Sequence, residues 1–503
     1  MDQTLALYAL ALGLSSLLLP RVKRRLDLSR AKHRSLAGHS RMAKRVARLI
    51  PYYEYDEAGF FSSDGAPEEV AQRRRDGFAA LAALYRQRFA RTAALASEAA
   101  ELISDLQFTG SYRVPFQYSR YVRQHLKGTG FLQGSAGVRV TDLDGNDFHD
   151  LTGSYGANVF GYDFYKHCIA EGSARVHALG PVLGAYHPLV ADNARRLRAI
   201  SGLDEVSFHM SGTEAVMQPV RLARYHTRRS HLVRFCGAYH GWWEDVQPGI
   251  GNPLPPRQTY TLREMAADSL HVLATRKDIA CVLVNPLQAL HPNTGAPGGA
   301  QEYFGVRTDM VTYGKTLGGG LPVGVVCGRR DLMKRFRDER PADICFARGT
   351  FNSHPYVMGA MQVFLEQLER SDVRALGAGL DERWNGRAAE LNRRLTAAAV
   401  PVQVANLSFI WTVVYTRPGR YNWLLQYYLD AEGLALSWVG SGRLIFGLNY
   451  SSVDFDSVAE RFVAAARAMA RDGWWWEAPG LTNQAIRRRI LRELISHRLG
   501  YRR

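Results

Sequence analysis

A single lysine in the stretch DMVTYGKTLGGGLPVG, residues 309–324, has the clearest chemical potential in this chain. Lys315 lies directly after Gly314 and shortly before three consecutive glycines. A lysine in such a setting serves as a phosphate clamp, as a covalent catalyst or as an ordinary surface charge. A nucleotide-binding P-loop requires a glycine five residues before Gly314, but Asp309 occupies that position. Because a carboxylate there would repel phosphate, the P-loop interpretation is excluded.

The run DMVTY before Lys315 predicts a strand that ends at the lysine. Desolvation at the end of a buried strand disfavours the charged ammonium, so it lowers the pKa of the lysine and favours a reactive amine. The neighbouring glycines let the backbone pass close to a bound ligand. These features favour the covalent role for Lys315.

A second strand end carries groups that suit phosphate. The predicted strand VSFHM runs into Ser211, Gly212 and Thr213 and then into a predicted helix. The free N–H groups and the positive end of such a helix form a cradle for an anion. The same three residues also match an ordinary helix N-cap, so the motif is weak when it is taken alone.

A third strand end carries an aromatic side chain. Tyr239 and His240 follow the predicted strand HLVRFC in the stretch CGAYHGWWED. A tyrosine there can stack on a flat cofactor, and the alternative is a tyrosine of the core. A phosphate cradle, a stacking aromatic and a reactive lysine are together the parts that a pyridoxal phosphate (PLP) enzyme needs. The three strand ends therefore predict PLP as the cofactor.

The elements that must position these residues alternate along the chain from about residue 131. Two short alternating strands around Asp144 and Gly145 indicate a hairpin. Helical patterns then alternate with five apolar runs, which are VSFHM, HLVRFC, IACVLVN, DMVTY and PVGVVCG. This alternation predicts an α/β fold with a mostly parallel central sheet and helices on both faces.

Composition excludes several classes of protein. The five cysteines of the 503-residue chain lie far apart and form no C-x-x-C pair, which argues against a disulfide scaffold or a metal site and fits a reducing compartment. The net charge is +17, but residues 21–50 hold 11 Lys and Arg against one acid, and residues 471–503 hold 8 Arg against three acids. Because most of the excess charge is terminal, no nucleic-acid partner is predicted.

The N-terminus suggests an attachment to membrane lipid. Residues 3–20 carry no charge, and 18 helical residues span about 27 Å, slightly less than a hydrocarbon core of about 30 Å. The basic cluster RVKRR follows at once and favours the cytoplasmic side. We therefore expect a single-pass N-terminal anchor with the rest of the chain on the cytoplasmic side of a membrane. A cleaved signal peptide and a core helix with a basic flank are the alternatives.

The C-terminus has two interpretations. Three tryptophans, 474–476, precede a predicted helix that starts after Thr482 and has an apolar face and an arginine face. A basic amphipathic helix beside tryptophans suits a membrane surface. A helix that docks on its own domain with a solvated arginine face explains the same pattern.

Five segments in the same order give the chain between residues 131 and 470 a resemblance to a known family. It resembles the class III aminotransferases of fold type I, and most of all the glutamate-1-semialdehyde 2,1-aminomutases. The matching segments are DLTGSYGANVFGY, SGTEAVMQPVRLARYHTRR, GAYHG, GGAQEYFGVRTDMVTYGKTLGGGLPVGVVCGRRDLM and ARGTFNSHPYVMGA.

The resemblance implies a role for each matched residue. Lys315 would be the Schiff-base lysine, and the cofactor would be held by Ser211, Gly212, Thr213, Tyr239, His240 and Thr350. Thr350 would reach the PLP phosphate of the neighbouring subunit, which implies a homodimer. Ser154 and Tyr155 would lie on the side of a small amino or oxo substrate.

The implied organisation has five parts. Residues 1–50 are the hydrophobic anchor and its basic flank, and residues 51–130 are a helical extension in which 68–106 has a continuous helical pattern. Residues 131–365 form the large PLP-binding domain, 366–476 form a smaller C-terminal α+β domain, and 477–503 form the basic tail.

One family segment has no counterpart in this chain. The resemblance implies a helix and a strand that ends in an Asp-Glu-Val motif, whose aspartate keeps the pyridine nitrogen of PLP protonated. Here the sequence passes directly from Pro297 to Gly298. An in-frame internal deletion, a catalytically weakened relative, and a carboxylate supplied from elsewhere in the chain each explain the gap.

Three functions follow as hypotheses. The first is a PLP-dependent aminotransferase or aminomutase that acts through Lys315. The second is a catalytically impaired scaffold of the PLP fold, because the aspartate is missing. The third is a basic adaptor for membranes or nucleic acid, which the nearly neutral body of the chain disfavours.

Overall fold

The computed structural model describes residues 3–33, 35–127, 130–247, 249–254, 256–285, 300–437 and 439–499. Its helices are α1 (Gln3–Ala31), α2 (Ser40–Leu49), α3 (Glu57–Ser62), α4 (Glu68–Arg88), α5 (Ala90–Leu102), α6 (Ser104–Tyr112), α7 (Phe116–His125), α8 (Tyr162–Val176), α9 (Leu189–Ser201), α10 (Gly212–Thr227), α11 (Ala267–Thr275), α12 (Ala300–Phe304), α13 (Arg330–Met333), α14 (Pro355–Gln367), α15 (Ser371–Ala375), α16 (Leu380–Ala397), α17 (Leu425–Ala431), α18 (Ser452–Arg471) and α19 (Asn483–Arg498).

Its strands are β1 (Leu132–Ala136), β2 (Arg139–Asp142), β3 (Asp147–Asp150), β4 (Glu205–His209), β5 (His231–Phe235), β6 (Thr259–Leu262), β7 (Ile279–Leu283), β8 (Met310–Gly314), β9 (Gly324–Gly328), β10 (Phe336–Arg337), β11 (Arg340–Ile344), β12 (Val402–Leu407), β13 (Ile410–Tyr415), β14 (Leu434–Ala435) and β15 (Leu444–Ile445). The predicted hairpin is present, because β2 pairs antiparallel with β3 across the Asp144 turn.

The sheet that carries the candidate site is divided in two. Strands β6, β5 and β7 form one parallel sheet, and β4, β9 and β8 form another in which β9 runs antiparallel to both neighbours. The predicted mostly parallel pairing is therefore found in β6, β5 and β7, but not in β4, β9 and β8, where β9 is antiparallel. All five predicted apolar runs do form strands, and β6 is an additional strand that the sequence pattern did not indicate.

The division falls where the family segment is missing. Strand β7 bonds to β5, and β8 bonds to β9, but within the described residues neither strand has a partner along its other edge. Helix α10 packs against both β7 and β8, so the two open edges share one supporting helix. Val282 of β7 is 41% exposed, whereas all of β9 is buried. The Pro297–Gly298 junction itself lies outside the described residues.

One large aromatic core joins residues 51–130 to the C-terminal part of the chain. Phe60 and Phe78 of the N-terminal helices pack in the same cluster as Trp384, Trp411 and Trp474. The pattern over 68–106 predicted one helix, but Phe89 breaks it between α4 and α5 with non-helical φ and ψ of −120° and 32°. Phe89 is fully buried in this core, so tertiary packing outweighs the local helical preference.

The N-terminal helix α1 continues past Pro20 to Ala31. Its last residue is buried against Tyr260 and Leu262, and the Ala31 carbonyl accepts a hydrogen bond from the Arg263 N–H at 2.8 Å. Among the described residues, no helix has both the length and the apolar character needed to cross a bilayer. The expected single-pass anchor is therefore not supported.

The C-terminal helix α19 docks on the chain through a carboxylate. Glu493 accepts hydrogen bonds from the hydroxyls of Tyr53 and Tyr55 at 3.0 and 2.6 Å and from the buried Arg420 guanidinium at 2.7 and 2.9 Å. Of the two interpretations of the tail, this contact favours the docked helix. Leu491 and Ile495, on its other side, are 56% and 49% exposed.

Candidate functional site

Lys315 lies at the end of β8, as predicted, with a conformation that the sequence did not indicate. Its φ is +55°, in the left-handed region that is unfavourable for a residue with a β-carbon. The side chain is accessible to solvent, as a residue that reacts with a ligand must be. Protein atoms nevertheless surround it closely enough that burial, and then the positive charge of Arg443, lower its pKa. Both effects favour the neutral, nucleophilic amine.

The predicted phosphate cradle lies beside the lysine strand. Strand β4 ends at His209, and Ser211 caps α10 by accepting a hydrogen bond from the Glu214 N–H at 3.2 Å. Gly324 of β9 pairs with His209 on one side and with Gly314 on the other, so it joins the strand before the cradle to the strand before the lysine. The N–H groups of Gly212 and Thr213, the first two residues of α10, have no acceptor within the helix and can bind an anion.

The predicted stacking turn approaches the cradle closely. A β-carbon placed on Gly241, which has φ of +105°, would lie 2.7 Å from Thr213 Oγ1, so glycine is required there. Tyr239 is 59% exposed and its ring is open to a ligand. His240 is buried, and its Nε2 has no hydrogen-bond partner in the described chain. Burial and the nearby Arg234 lower the His240 pKa to about 4, so its ring is neutral at pH 7.

The substrate-side residues form a strained turn. Residues 153–156 all have positive φ, and the values for Ser154 and Tyr155 are 45° and 59°. The segment after this turn is tied to the lysine, because the hydroxyls of Tyr165 and Thr316 lie 2.5 Å apart and Thr316 follows Lys315. Strain of this kind persists only where the surrounding structure holds it, and it is concentrated at functional sites.

Thr350 lies apart from these groups. It belongs to an exposed loop before α14, between Phe346 and Phe351, which are 68% and 53% exposed. Exposed aromatics beside it suit a surface that another subunit covers. Its role at a neighbouring subunit's phosphate remains a prediction.

The described residues fit PLP at three points. The helix start at Gly212 suits the phosphate, and a β-carbon there would meet no atom within 4 Å, so there is room for a group. Tyr239 and His240, whose Nε2 has no partner in the described chain, suit the ring, and Lys315 suits the aldehyde. A carboxylate for the ring nitrogen has no assigned counterpart, because the family segment that carries it is missing between Pro297 and Gly298, and that junction lies outside the described residues. Over the described ranges, no cluster of His, Cys, Asp and Glu suits a metal ion.

Several residues of this site were not found from the sequence. Arg443 reaches Lys315 from more than a hundred positions away along the chain, and Tyr165 reaches Thr316 from α8. Tyr162 contacts the Ser154 hydroxyl and donates a hydrogen bond of 2.8 Å to Asp150. Asp150 and Tyr162 are the first and last residues of the quoted segment DLTGSYGANVFGY, which was their one sequence signal; Arg443 had none.

Comparisons with known proteins identify the family. A family model described as aminotransferase class-III matches residues 121–244. Glutamate-1-semialdehyde 2,1-aminomutase of Nitratidesulfovibrio vulgaris (strain DP4) is 31% identical over 337 residues, which are 57% of this chain and 77% of that protein. The protein of the same name from Geotalea daltonii is 27% identical over 401 residues, 68% of this chain and 91% of that protein.

A solved structure shows the same fold. The crystal structure of a glutamate-1-semialdehyde aminomutase from Pseudomonas aeruginosa PAO1 superposes with a TM-score of 0.66 at 17% identity, covering 80% of this chain and 99% of that one. The resemblance inferred from the five segments is thereby confirmed. The chain belongs to the class III aminotransferase family of pyridoxal-phosphate-dependent enzymes.

Proposed function

We propose that this protein transfers an amino group on a small amino or oxo substrate, as a transaminase or a 2,1-aminomutase, with Lys315 as its catalytic lysine. The observation that carries the proposal is the setting of Lys315. It is accessible and strained, its pKa is lowered, and it follows β8, the strand that Gly324 joins to the cradle strand β4.

The residues divide the work between binding and proton transfer. Gly212 and Thr213 would hold the PLP phosphate through their backbone N–H groups, and Tyr239 would stack on the ring. PLP, when bound, supplies an electron sink that makes a proton on the substrate carbon acidic. Lys315, whose neutral amine is favoured by burial and by Arg443, would take that proton and return it as general base and acid.

The test is chemical trapping. Borohydride reduction of the PLP-loaded protein, followed by peptide mapping, is expected to place the pyridoxyl group on the peptide that contains Lys315. Absence of an adduct in cofactor-saturated protein, or an adduct on another lysine, would overturn the proposal.

A second candidate function is a catalytically impaired scaffold that keeps the fold. It is favoured by one observation of the sequence, which is that Pro297 is followed directly by Gly298, so the family segment that carries the ring-nitrogen aspartate has no counterpart. A protein of this kind would bind PLP without turnover of amino donors. Turnover measurements on the protein that gives the Lys315 adduct separate the two functions.

Two properties of the assembly belong to the same proposal. The exposed Thr350 loop with Phe346 and Phe351 supports a homodimer in which each subunit completes its partner's phosphate site. The basic residues of α1 and α2 support a position at the cytoplasmic face of a membrane, held by charge.

A further inference from the structure

A chain of hydrogen bonds runs from the protein interior to the substrate-side turn. The Tyr162 hydroxyl donates to Asp150 Oδ2 at 2.8 Å, and the Ser154 and Tyr162 hydroxyl oxygens lie 3.3 Å apart. Asp150 is 4% exposed, so this series of hydrogen bonds ends at a buried carboxylate. The proposed function gives no role to Asp150 or Tyr162.

The turn that carries Ser154 is held from several sides. Thr152 Oγ1 accepts a hydrogen bond from the Ser154 N–H at 2.9 Å, and the Leu151 carbonyl accepts one from the Ile445 N–H at 2.8 Å. A β-carbon on Gly153 would lie 2.8 Å from the Ile445 side chain, so the turn is pressed against β15. These contacts keep the left-handed conformation of Ser154 in place, and the position of its hydroxyl is therefore fixed.

The protons in this chain can be assigned. Asp150 accepts from the Thr152 N–H at 2.8 Å and from Tyr162; burial raises its pKa overall, and these donors and the Asn158 side chain act in the opposite direction. The several donors aimed at it fit an ionised carboxylate that accepts only. The single proton of Tyr162 is then committed to Asp150, and burial and the Asp150 charge raise the Tyr162 pKa, so that the proton stays on the tyrosine.

It follows that Ser154 is the donor in its contact with Tyr162. A hydroxyl has one proton and two lone pairs, so Ser154 Oγ can offer only lone pairs to a ligand. If Asp150 were neutral and donated to Tyr162, the direction of the chain would reverse and Ser154 could donate outward.

We infer that Ser154 accepts a hydrogen bond from a second N–H or O–H donor of the substrate, and that Asp150 and Tyr162 are positioning residues that set this direction. The inference rests on the proposed function, because the turn is tied to the Lys315 segment through Tyr165 and Thr316. The substrate class is thus an amino compound with a donor group in addition to the amino group that reacts.

The experiment uses the PLP-loaded full chain and two matched ligands, 2,4-diaminobutyrate and 2-aminobutyrate, which differ by one amino group. Calorimetric titration is expected to show that the wild type binds 2,4-diaminobutyrate about tenfold or more tightly, the effect of one hydrogen bond to a charged group. Ser154→Ala and Tyr162→Phe are expected to remove most of this preference, and Tyr162→Phe is expected to change the affinity for 2-aminobutyrate by about twofold or less.

Tyr450→Phe is the matched control. The Tyr450 hydroxyl donates to the Asp150 backbone carbonyl at 2.8 Å, so this buried tyrosine touches the same residue without taking part in the chain to Ser154. It is expected to keep the wild-type preference. Asp150→Asn is a second variant, in which the amide can donate a hydrogen bond to Tyr162. We expect it to lose the preference for 2,4-diaminobutyrate. This variant tests the inference if Tyr162→Phe does not fold.

The outcomes separate this inference from the proposed function. A wild type that takes PLP on Lys315 but binds both ligands equally would overturn the inference alone. Retention of the preference in a folded Tyr162→Phe or Asp150→Asn protein would also overturn it. Failure to form the Lys315 adduct would instead overturn the proposed function.

Discussion

Gly324 and Ser211 are in direct backbone contact, where β9 passes the start of α10. A β-carbon added to Gly324 would overlap the Ser211 carbonyl oxygen and lie 2.8 Å from the Ala215 β-carbon. The position of the phosphate cradle relative to the lysine strand therefore depends on a missing side chain at Gly324.

We expect Gly324→Ala to separate the cradle from the lysine strand and to weaken PLP binding by more than about tenfold. The new β-carbon would clash with the Ser211 backbone, which cannot change rotamer as a side chain can. The measurement is an equilibrium titration with PLP followed by absorbance. The control is Gly134→Ala in β1, where the new β-carbon would meet Thr141 at an ordinary 3.7 Å. Equal PLP affinity in the two variants would show that the contact does not position the cradle.

The charge of Arg443 gives a pH-dependent prediction. Its guanidinium lowers the pKa of Lys315, so removing it in Arg443→Gln should raise that pKa. The pH at which Lys315 in the PLP-free protein becomes half-reactive toward an amine reagent is expected to move upward. Arg443→Lys keeps the charge and should stay near the wild type. A downward shift, or the same upward shift in both variants, contradicts the electrostatic role.

The sequence predicted the local parts of this site well and the long-range parts poorly. The strands that end before Ser211, Tyr239 and Lys315 follow from short apolar runs, which are local signals. The left-handed Ser154, Tyr155 and Lys315 could not be predicted, because glycine is the usual signal for that conformation and none of them is glycine.

Contacts between distant segments set the remaining features. Arg443 reaches the lysine through the pairing of β15 with β13, and the N-terminal helices share a core with Trp384 and Trp474. Neither contact has a signature in a single sequence. The membrane-spanning interpretation of residues 3–20 used length and the lack of charge, but α1 runs on through the basic cluster as one helix to its buried end at Ala31.

The divided sheet predicts a gain from insertion. A helix and strand of the family type, inserted between Pro297 and Gly298, should pair with the open edges of β7 and β8 and bring a carboxylate to the ring nitrogen. We expect turnover to rise at least tenfold and the free energy of unfolding to rise by several kcal/mol, because exposed backbone groups become paired. An inserted glycine-serine segment of equal length is the control.

Turnover of the unaltered chain decides this point. If it already converts amino donors with a kcat of about 10 per second, which is ordinary for enzymes, the missing carboxylate has no catalytic consequence. The account of the gap would then be wrong.

The proposed membrane position gives a prediction for fractionation. Attachment through the basic residues of α1 and α2 should be screened by salt. We expect protein bound to vesicles with anionic lipid to be released by about 1 M salt, at which the Debye length is about 3 Å. Binding to neutral vesicles of equal strength would contradict attachment by charge.

The central claim is that Lys315 is the lysine that binds PLP, and borohydride trapping tests it most directly. Peptide mapping of the reduced, PLP-saturated protein should give one pyridoxyl-lysine, at position 315. Lys315→Ala should abolish the adduct, whereas replacement of the exposed Lys277 should leave it unchanged. An adduct that persists in Lys315→Ala protein with the same yield would contradict the account.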